Sequence, residues 1–186
     1  MSDRPTVVLV GTDGSYAGTA DKLAAHRAPG ALHLAFSVVL YRTDGRVLLQ
    51  QRAAHKYHFP SVWANACCSH PLPGEDLVAS AERRVREELG LSCTLALAGH
   101  FSYRATCAQS GLVEHEFDHV AVGTVDVEPD PDPAEVAAIT WADPVAVLAA
   151  GSGAPLPVGE SVPSPLAPWL LPALRLAETL RVDRVG

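Results

Sequence analysis

The sequence predicts a mixed α/β (α+β) domain, and three observations carry that prediction. Residues 32–41 alternate between two faces in the way a strand does, with Ala35 and Ser37 on one of them. Residues 77–89 carry apolar side chains at helical spacing. Other strand-like segments alternate with a few helices along the chain, and 48% of the residues are hydrophobic. That combination is typical of a globular domain with its own core.

The chain length of 186 residues predicts a single domain spanning residues 1–186. We expect its core to lie at about residues 30–150. An N-terminal extension of strand and loop would cover residues 1–29, and a helical C-terminal extension would cover residues 151–186.

The elements of the first part of the chain follow from alternation and turn residues. Thr6 to Val10 predicts a short strand, and residues 18–26 predict a brief turn or helix. The strand over residues 32–41 leads into the turn Thr43-Asp44-Gly45-Arg46, since Asp-Gly tolerates positive φ. Residues 47–52 then return as a second strand.

A long loop and a helix occupy the middle of the chain. Residues 53–73 lack a regular pattern, and loops of this length in compact domains are often functional. Residues 74–76 mark the start of the helix, and Gly90 ends it.

The remaining elements are predicted from shorter signals. Further strands are expected at residues 94–98, 99–106, 113–125 and 138–142. The Pro- and Asp-rich stretch before the last of these strands is a connector. A terminal helix is expected over residues 166–182, with Pro172 disturbing its first turns.

Composition and charge narrow the classes of function. The net charge of −7 argues against broad binding to nucleic acid, which needs a basic surface. No apolar run reaches the length of a membrane span, and residues 1–10 are too short for a signal-peptide core with a cleavage site. We therefore expect a cytoplasmic protein whose 4 Cys residues are thiols, two of them adjacent at Cys67 and Cys68.

The charged helix admits an ordinary and a specific interpretation. As an amphipathic helix, it would simply carry ion pairs on a solvated face. However, Glu75, Arg83, Glu87, Glu88 and Gly90 have the spacing of the Nudix signature, so the segment resembles that family. Ser69 and Arg84 depart from it, since the family has Gly and Glu at these positions. The resemblance implies a helix that presents carboxylates to divalent metal and diphosphate, while Arg84 removes one carboxylate and favours holding a diphosphate without cutting it.

A set of histidines and carboxylates is a candidate metal site. Glu114 and Glu116 are two apart in a predicted strand, so both point to one face and His115 points away. A lone His is usually a surface or core residue, but several with two carboxylates would suit Mn²⁺, Zn²⁺ or Mg²⁺. The candidate histidines are His26, His33 and His70.

Five short segments carry a more specific resemblance. They are "AAH" at 24–26, "LHLAFS" at 32–37, "WANACCSHP" at 63–71, "FSYRA" at 101–105 and "GLVEHE" at 111–116. In this order and spacing they are similar to the type I isopentenyl diphosphate isomerase family. The resemblance implies a Nudix-type fold of mixed β-sheets sandwiched by helices. It also implies a metal-dependent 1,3-proton shift that interconverts isopentenyl and dimethylallyl diphosphate.

The same resemblance assigns the metal ligands. His26, His33, His70, Glu114 and Glu116 would hold one ion, which is Mn²⁺, Zn²⁺ or Mg²⁺. Glu88, with the backbone carbonyl of Cys68, would hold a second ion, Mg²⁺, that bridges to the substrate diphosphate.

Proton transfer and substrate binding are assigned in the same way. Cys68 would act on one face of the substrate, and Glu116 with Tyr103 on the other, around a carbocation-like state. The order of acid and base stays open. Trp169 would face the cation, with Trp63 as a second candidate. Lys22, Arg52, Lys56 and Arg84 would bind the diphosphate, although each alone is more often a solvated charge. For Cys67, Cys93 and Cys107 we expect core positions.

Two other functions remain open from the sequence. A Nudix diphosphate hydrolase would share the fold and the metal helix. A non-catalytic metal- or nucleotide-binding module would use the His/Glu cluster as a structural site. We expect a small-molecule diphosphate as the partner, no nucleic acid or membrane, and a monomer or weak homodimer.

Overall fold

The structure, a computed structural model, describes residues 5–183. The described strands are β1 (Thr6–Val10), β2 (Tyr16–Asp21), β3 (His33–Tyr41), β4 (Val47–Arg52), β5 (Trp63–Asn65), β6 (Cys67–Ser69), β7 (Ala96–Thr106), β8 (Val113–Thr124) and β9 (Val136–Ala142). The described helices are α1 (Lys22–His26), α2 (Leu77–Leu89), α3 (Pro144–Ser152) and α4 (Leu170–Asp183). None of these helices is long and apolar enough to cross a membrane.

Strand β3 is the centre of the mixed sheet and organises the rest of the chain. It pairs in parallel with β8 and antiparallel with β6, while β7 pairs antiparallel with β8. The parallel register sets His33 opposite Glu116, and the antiparallel register sets Ser37 opposite Cys68. Strand pairing alone therefore brings together residues that are far apart in sequence.

Side chains on the two faces of β3 belong to two separate hydrophobic clusters. Val39 lies in the cluster that packs under α4, together with Leu170 and Leu174. Val38 lies in the cluster that packs under α2, together with Val85. The alternation predicted for residues 32–41 is confirmed, and so is the sandwich of a mixed sheet between helices.

Helix α2 has the ends that its sequence predicts. The Asp76 side chain accepts a hydrogen bond from the Ala79 backbone N–H, and Gly90 takes the left-handed conformation with φ 66°. A side chain at this φ would be strained, which is why glycine ends the helix here.

Several elements differ from the sequence-based prediction. Strand β2 replaces the first part of the predicted turn or helix over residues 18–26, because it pairs antiparallel with β1. Only the five residues of α1 are helical there. The long loop over residues 53–73 contains the short strands β5 and β6, which are held by pairing with β4 and β3.

The later part of the chain differs in three places. The strands predicted at residues 94–98 and 99–106 form one strand, β7, whose pairing with β8 shifts register between Leu97 and Gly99. Helix α3 was not predicted, although Asp143 caps it and Gly153 ends it. Helix α4 begins only at Leu170, so Pro172 lies in its first turn, where a missing N–H costs no helical hydrogen bond. The division into a core and two extensions stays a prediction.

Candidate active site

Three histidines and two glutamates converge in the interior of the fold. One ligand atom from each of them lies within 4.8 Å of all the others. Four of the five residues are buried, and the fifth, His70, is half-buried. The cluster consists of His26, His33, His70, Glu114 and Glu116. The structure thus brings together the whole set that the sequence put forward as a candidate metal site.

Four elements of the fold, α1, β3, β6 and β8, position the residues of the cluster. His26 ends α1, His33 begins β3, and His70 follows β6 directly. Glu114 and Glu116 share the inner face of β8, whereas the His115 ring turns away and its Nδ1 lies 3.0 Å from the Gly30 carbonyl oxygen. The alternation predicted for this strand is confirmed.

The backbone fixes how two of the imidazole rings present their nitrogen atoms. His26 Nδ1 donates to the Lys22 carbonyl at 2.6 Å, and His33 Nδ1 donates to the Ala31 carbonyl at 2.8 Å. With the proton on Nδ1, each Nε2 offers a lone pair to the centre of the cluster. His33 Nε2 lies 3.1 Å from His70 Nε2, which lies 3.0 Å from Glu116 Oε1.

Unsatisfied polar atoms at this centre fit a divalent cation. His26 Nε2 and Glu114 Oε2 are buried and have no hydrogen-bond partner, although they lie 2.9 Å apart. Leaving buried polar atoms unpaired is costly, so such atoms call for a ligand. A mixed set of imidazole nitrogen and carboxylate oxygen atoms suits Mn²⁺, Zn²⁺ or Mg²⁺. The five residues therefore form a candidate metal-binding cluster.

The protonation states of His70 and Glu114 also suit a cation. Burial, helped by the charge of Lys22, lowers the pKa of His70 to about 3, so this imidazole is neutral. Burial opposes ionisation of Glu114, yet the neighbouring His26 and His58 imidazoles hold its pKa well below the usual value. Neutral imidazoles and ionised carboxylates are the forms that bind metal.

Cys68 points its thiol into the cavity beside this cluster. The thiol donates to Asn65 Oδ1 at 3.1 Å and accepts a hydrogen bond from Trp169 Nε1 at 3.1 Å. Burial and the nearby Asp118 raise the pKa of Cys68, so the group is a neutral thiol. The adjacent Cys67 is fully buried in the core under α2, as predicted, because successive residues of a strand face opposite sides.

Tyr103 and Trp169 complete the wall of the cavity near Cys68. The Tyr103 hydroxyl donates to Glu116 Oε2 at 2.6 Å. The rings of Tyr103 and Trp169 are 6.0 Å apart. Trp63 is not among the described residues that line this cavity. Its backbone N–H donates to the Pro165 carbonyl, and an isolated β-bridge joins it to Leu166. Of the two tryptophans considered, only Trp169 faces the site.

The basic residues predicted to bind diphosphate line the same cavity. They are Lys22, Arg52, Lys56 and Arg84. Arg84 forms ion pairs with Glu87 and Glu88 on its own helix. Both Arg84 and Lys56 also pair with Glu135. Arg52 donates to the backbone carbonyls of residues 58 and 59.

Three residues of the site were missed from the sequence. Asp118 follows Glu116 at the strand period, so the alternation already placed it on the same face; it accepts from the Ser37 hydroxyl at 2.7 Å. Glu135 precedes β9 within an acidic connector, and nothing in that composition distinguishes it. His58 lies in the long loop, where no periodicity indicates which side chains point inward.

The comparisons with known proteins agree with this geometry. Residues 31–159 match the family model described as the NUDIX domain. An isopentenyl-diphosphate Delta-isomerase of Nocardia farcinica is 47% identical over 180 residues, covering 97% of this chain and 98% of that protein. One of Streptomyces griseus is 57% identical over 129 residues, covering 69% of this chain and 66% of that protein.

Solved structures support the fold independently of sequence. The DR0079 protein of Deinococcus radiodurans superposes with a TM-score of 0.71 at 19% identity, covering 93% of this chain and 99% of that one. A MutT protein of Methanosarcina mazei superposes with a TM-score of 0.61 at 15% identity, covering 83% and 96%. At such identities the likeness establishes the fold alone. Together, the domain match and the extent of identity to the two isomerases show that this chain belongs to the isopentenyl-diphosphate Delta-isomerase family within the NUDIX superfamily.

Proposed function

We propose that this protein interconverts isopentenyl diphosphate and dimethylallyl diphosphate by moving one proton across three carbons. The observation that carries the proposal is a single cavity lined by a neutral thiol, Cys68, and by the carboxylate of Glu116. Basic side chains suited to a diphosphate line the same cavity. The relatives named above as isopentenyl-diphosphate Delta-isomerases support the same activity.

The reaction needs two proton-transferring groups in a site that excludes water. In the forward direction the terminal methylene carbon of the substrate gains a proton, and C2 loses one. The charge that develops between them resembles a tertiary carbocation. Cys68 serves one of the two carbons, and Glu116 with Tyr103 serves the other. Because the reaction is reversible, each group acts as an acid in one direction and as a base in the other.

The aromatic wall of the cavity would stabilise the developing cation. Trp169 is 3% exposed and donates its indole N–H to the Cys68 sulfur, so the ring is held beside the reacting thiol. Aromatic faces attract cations, the more so where water is absent.

The histidine and glutamate cluster would hold the first divalent ion, Mn²⁺, Zn²⁺ or Mg²⁺. Such an ion supplies a fixed positive charge that orients Glu116 and lowers the basicity of its carboxylate. Glu88 with the Cys68 carbonyl would hold a second ion, Mg²⁺, at the diphosphate. The support for the first site is the convergence of its five donor atoms, and the support for the second is that Glu88 and Cys68 line the same cavity.

A NUDIX hydrolase is the second candidate function, since it shares the domain. Arg84 argues against it, because a guanidinium stands here where the NUDIX signature has a glutamate, so the helix offers one carboxylate fewer to a metal ion. The guanidinium is at the same time suited to binding the oxygens of a diphosphate.

An isomerisation assay in D₂O separates the two functions. Purified protein with Mg²⁺ and Zn²⁺, both diamagnetic, is incubated with isopentenyl diphosphate, and the reaction is followed by ¹H and ³¹P NMR. We expect dimethylallyl diphosphate with deuterium in its new methyl group and an intact diphosphate. Release of phosphate without dimethylallyl diphosphate would refute the isomerase and support the hydrolase. The same purified sample also tests, by light scattering, the expectation of a monomer or weak homodimer.

A further inference from the structure

We propose that His58 is a positioning residue that fixes how Glu114 presents its oxygens to the metal cluster. This inference rests on the metal site of the proposed function and adds a sixth side chain to it. His58 Nε2 lies 2.7 Å from Glu114 Oε1, and both side chains are buried. The motif resemblance and the sequence pattern assign nothing to His58.

The two oxygens of Glu114 have different partners. Oε1 receives the N–H of His58, while Oε2 faces His26 and has no hydrogen-bond partner. A carboxylate held in this way presents one chosen oxygen to the cluster. Without the bond from His58, the group could rotate about its terminal torsion and present either oxygen or both.

His58 is a partner of a ligand and not a sixth ligand itself. It is absent from the set whose donor atoms lie within 4.8 Å of one another. Its Nε2 is already engaged with Glu114, and its Nδ1 is buried without a partner. A histidine whose N–H serves a metal-bound carboxylate is the usual form of support around a metal site.

Hydrogen bonds hold the backbone at His58 and Phe59, so the position from which the imidazole extends is fixed. Arg52 donates to the carbonyl of His58 at 3.2 Å and to that of Phe59 at 3.1 Å. The Phe59 N–H donates to Cys107 Sγ at 3.1 Å, and its ring meets Trp169 edge-on at 5.3 Å. The loop therefore holds the His58 side chain against Glu114. A positioning role requires this kind of support.

Substitutions at His58 separate hydrogen bonding from packing. His58→Leu keeps a side chain of similar volume but has no donor. His58→Gln keeps an N–H at about the place of Nε2, whereas His58→Asn has its N–H nearer the place of Nδ1. His55→Ala is the matched control, because His55 is an exposed histidine of the same loop.

The readout is the dissociation constant for Mn²⁺, measured by calorimetry on chelator-treated protein and checked by the Mn²⁺ electron paramagnetic resonance spectrum. We expect affinity to fall roughly 10- to 100-fold in His58→Leu and His58→Asn. His58→Gln should stay within about threefold of the unchanged protein, and so should His55→Ala. Circular dichroism confirms that each variant is folded.

The outcomes distinguish this role from the function on which it rests. Equal Mn²⁺ affinity in the unchanged protein and in folded His58→Leu would overturn the role of His58 and leave the isomerase intact. Full affinity in His58→Leu and weak affinity in His58→Gln would also overturn it, because packing would then matter and the donor would not. If the unchanged protein bound no Mn²⁺, the metal site and the role of His58 would both be refuted.

Discussion

Tyr103 and Glu116 lie directly opposite each other in the β7–β8 ladder, and the tyrosine hydroxyl donates a 2.6 Å hydrogen bond to Glu116 Oε2. The other oxygen, Oε1, lies 3.0 Å from His70 Nε2 and 3.6 Å from His33 Nε2. A single carboxylate is thus shared between the tyrosine and the His/Glu cluster. Under the proposed function, any proton that Glu116 transfers would be coupled both to metal occupancy and to the tyrosine.

Replacing Tyr103 by Phe should slow isomerisation while leaving the fold intact. The change removes only the hydroxyl that fixes Glu116, so we expect kcat to fall roughly 10²-fold. Steady-state kinetics measure this. Tyr41→Phe is the control, since the Tyr41 hydroxyl bonds Glu178 at 2.6 Å and does not line the cavity. A Tyr103→Phe variant within twofold of the unchanged rate would refute the role of the hydroxyl.

Replacing Cys68 by Ala should abolish turnover and leave the metal content near that of the unchanged protein. The thiol is one of the two proposed proton-transferring groups, and it supplies no donor atom to the His/Glu cluster. Activity is followed by NMR and metal content by mass spectrometry.

The matched control for this variant is the neighbouring cysteine. Cys67 is fully buried in the core under α2, so Cys67→Ala should lower the free energy of unfolding by about 1 kcal/mol and retain activity. Retention of most activity in Cys68→Ala would be incompatible with its proposed role.

Much of the site was predictable from local pattern because strand geometry is strict. Glu114 and Glu116 share a face for the same reason that Cys67 and Cys68 do not. The convergence of His26, His33 and His70 was implied only by the family resemblance, since no single-sequence rule brings three separate elements together.

The features that were missed lie where the local sequence pattern does not indicate which way a side chain points or which strands pair. His58 points toward Glu114 because its loop is held by two hydrogen bonds, from Arg52 to the His58 carbonyl and from the Phe59 N–H to Cys107 Sγ. Arg52 and Cys107 are far apart in sequence, so no local pattern indicates this conformation. Strand β2 was missed because its pairing with β1 outweighs the weak strand character of residues 16–21. Tertiary contacts decide both cases.

Replacing Glu135 by Gln should lower KM for the diphosphate substrate. Glu135 pairs with Lys56 and Arg84, so it competes with a diphosphate for both cations and repels it. A partly exposed ion pair contributes about 0.5–1 kcal/mol, which corresponds to a decrease of about two- to fivefold.

Glu128→Gln is the control for that variant, since Glu128 pairs with Arg42 and does not line the cavity. KM is measured at saturating Mg²⁺ for both variants. An increase in KM for Glu135→Gln would contradict competition and would mean that this carboxylate contributes to substrate binding.

Removing divalent metal should abolish activity and lower thermal stability together. Without a cation, the buried Nε2 of His26 and Oε2 of Glu114 remain unpaired, so the folded state loses the stabilisation that binding provides. We expect dialysis against a strong chelator to lower the melting temperature by several degrees, and Mg²⁺ with Mn²⁺ or Zn²⁺ to restore both properties. Glu114→Gln provides the comparison, because its weakened site should make the melting temperature less sensitive to chelator. Full activity in a sample shown by mass spectrometry to be metal-free would refute the proposed metal dependence.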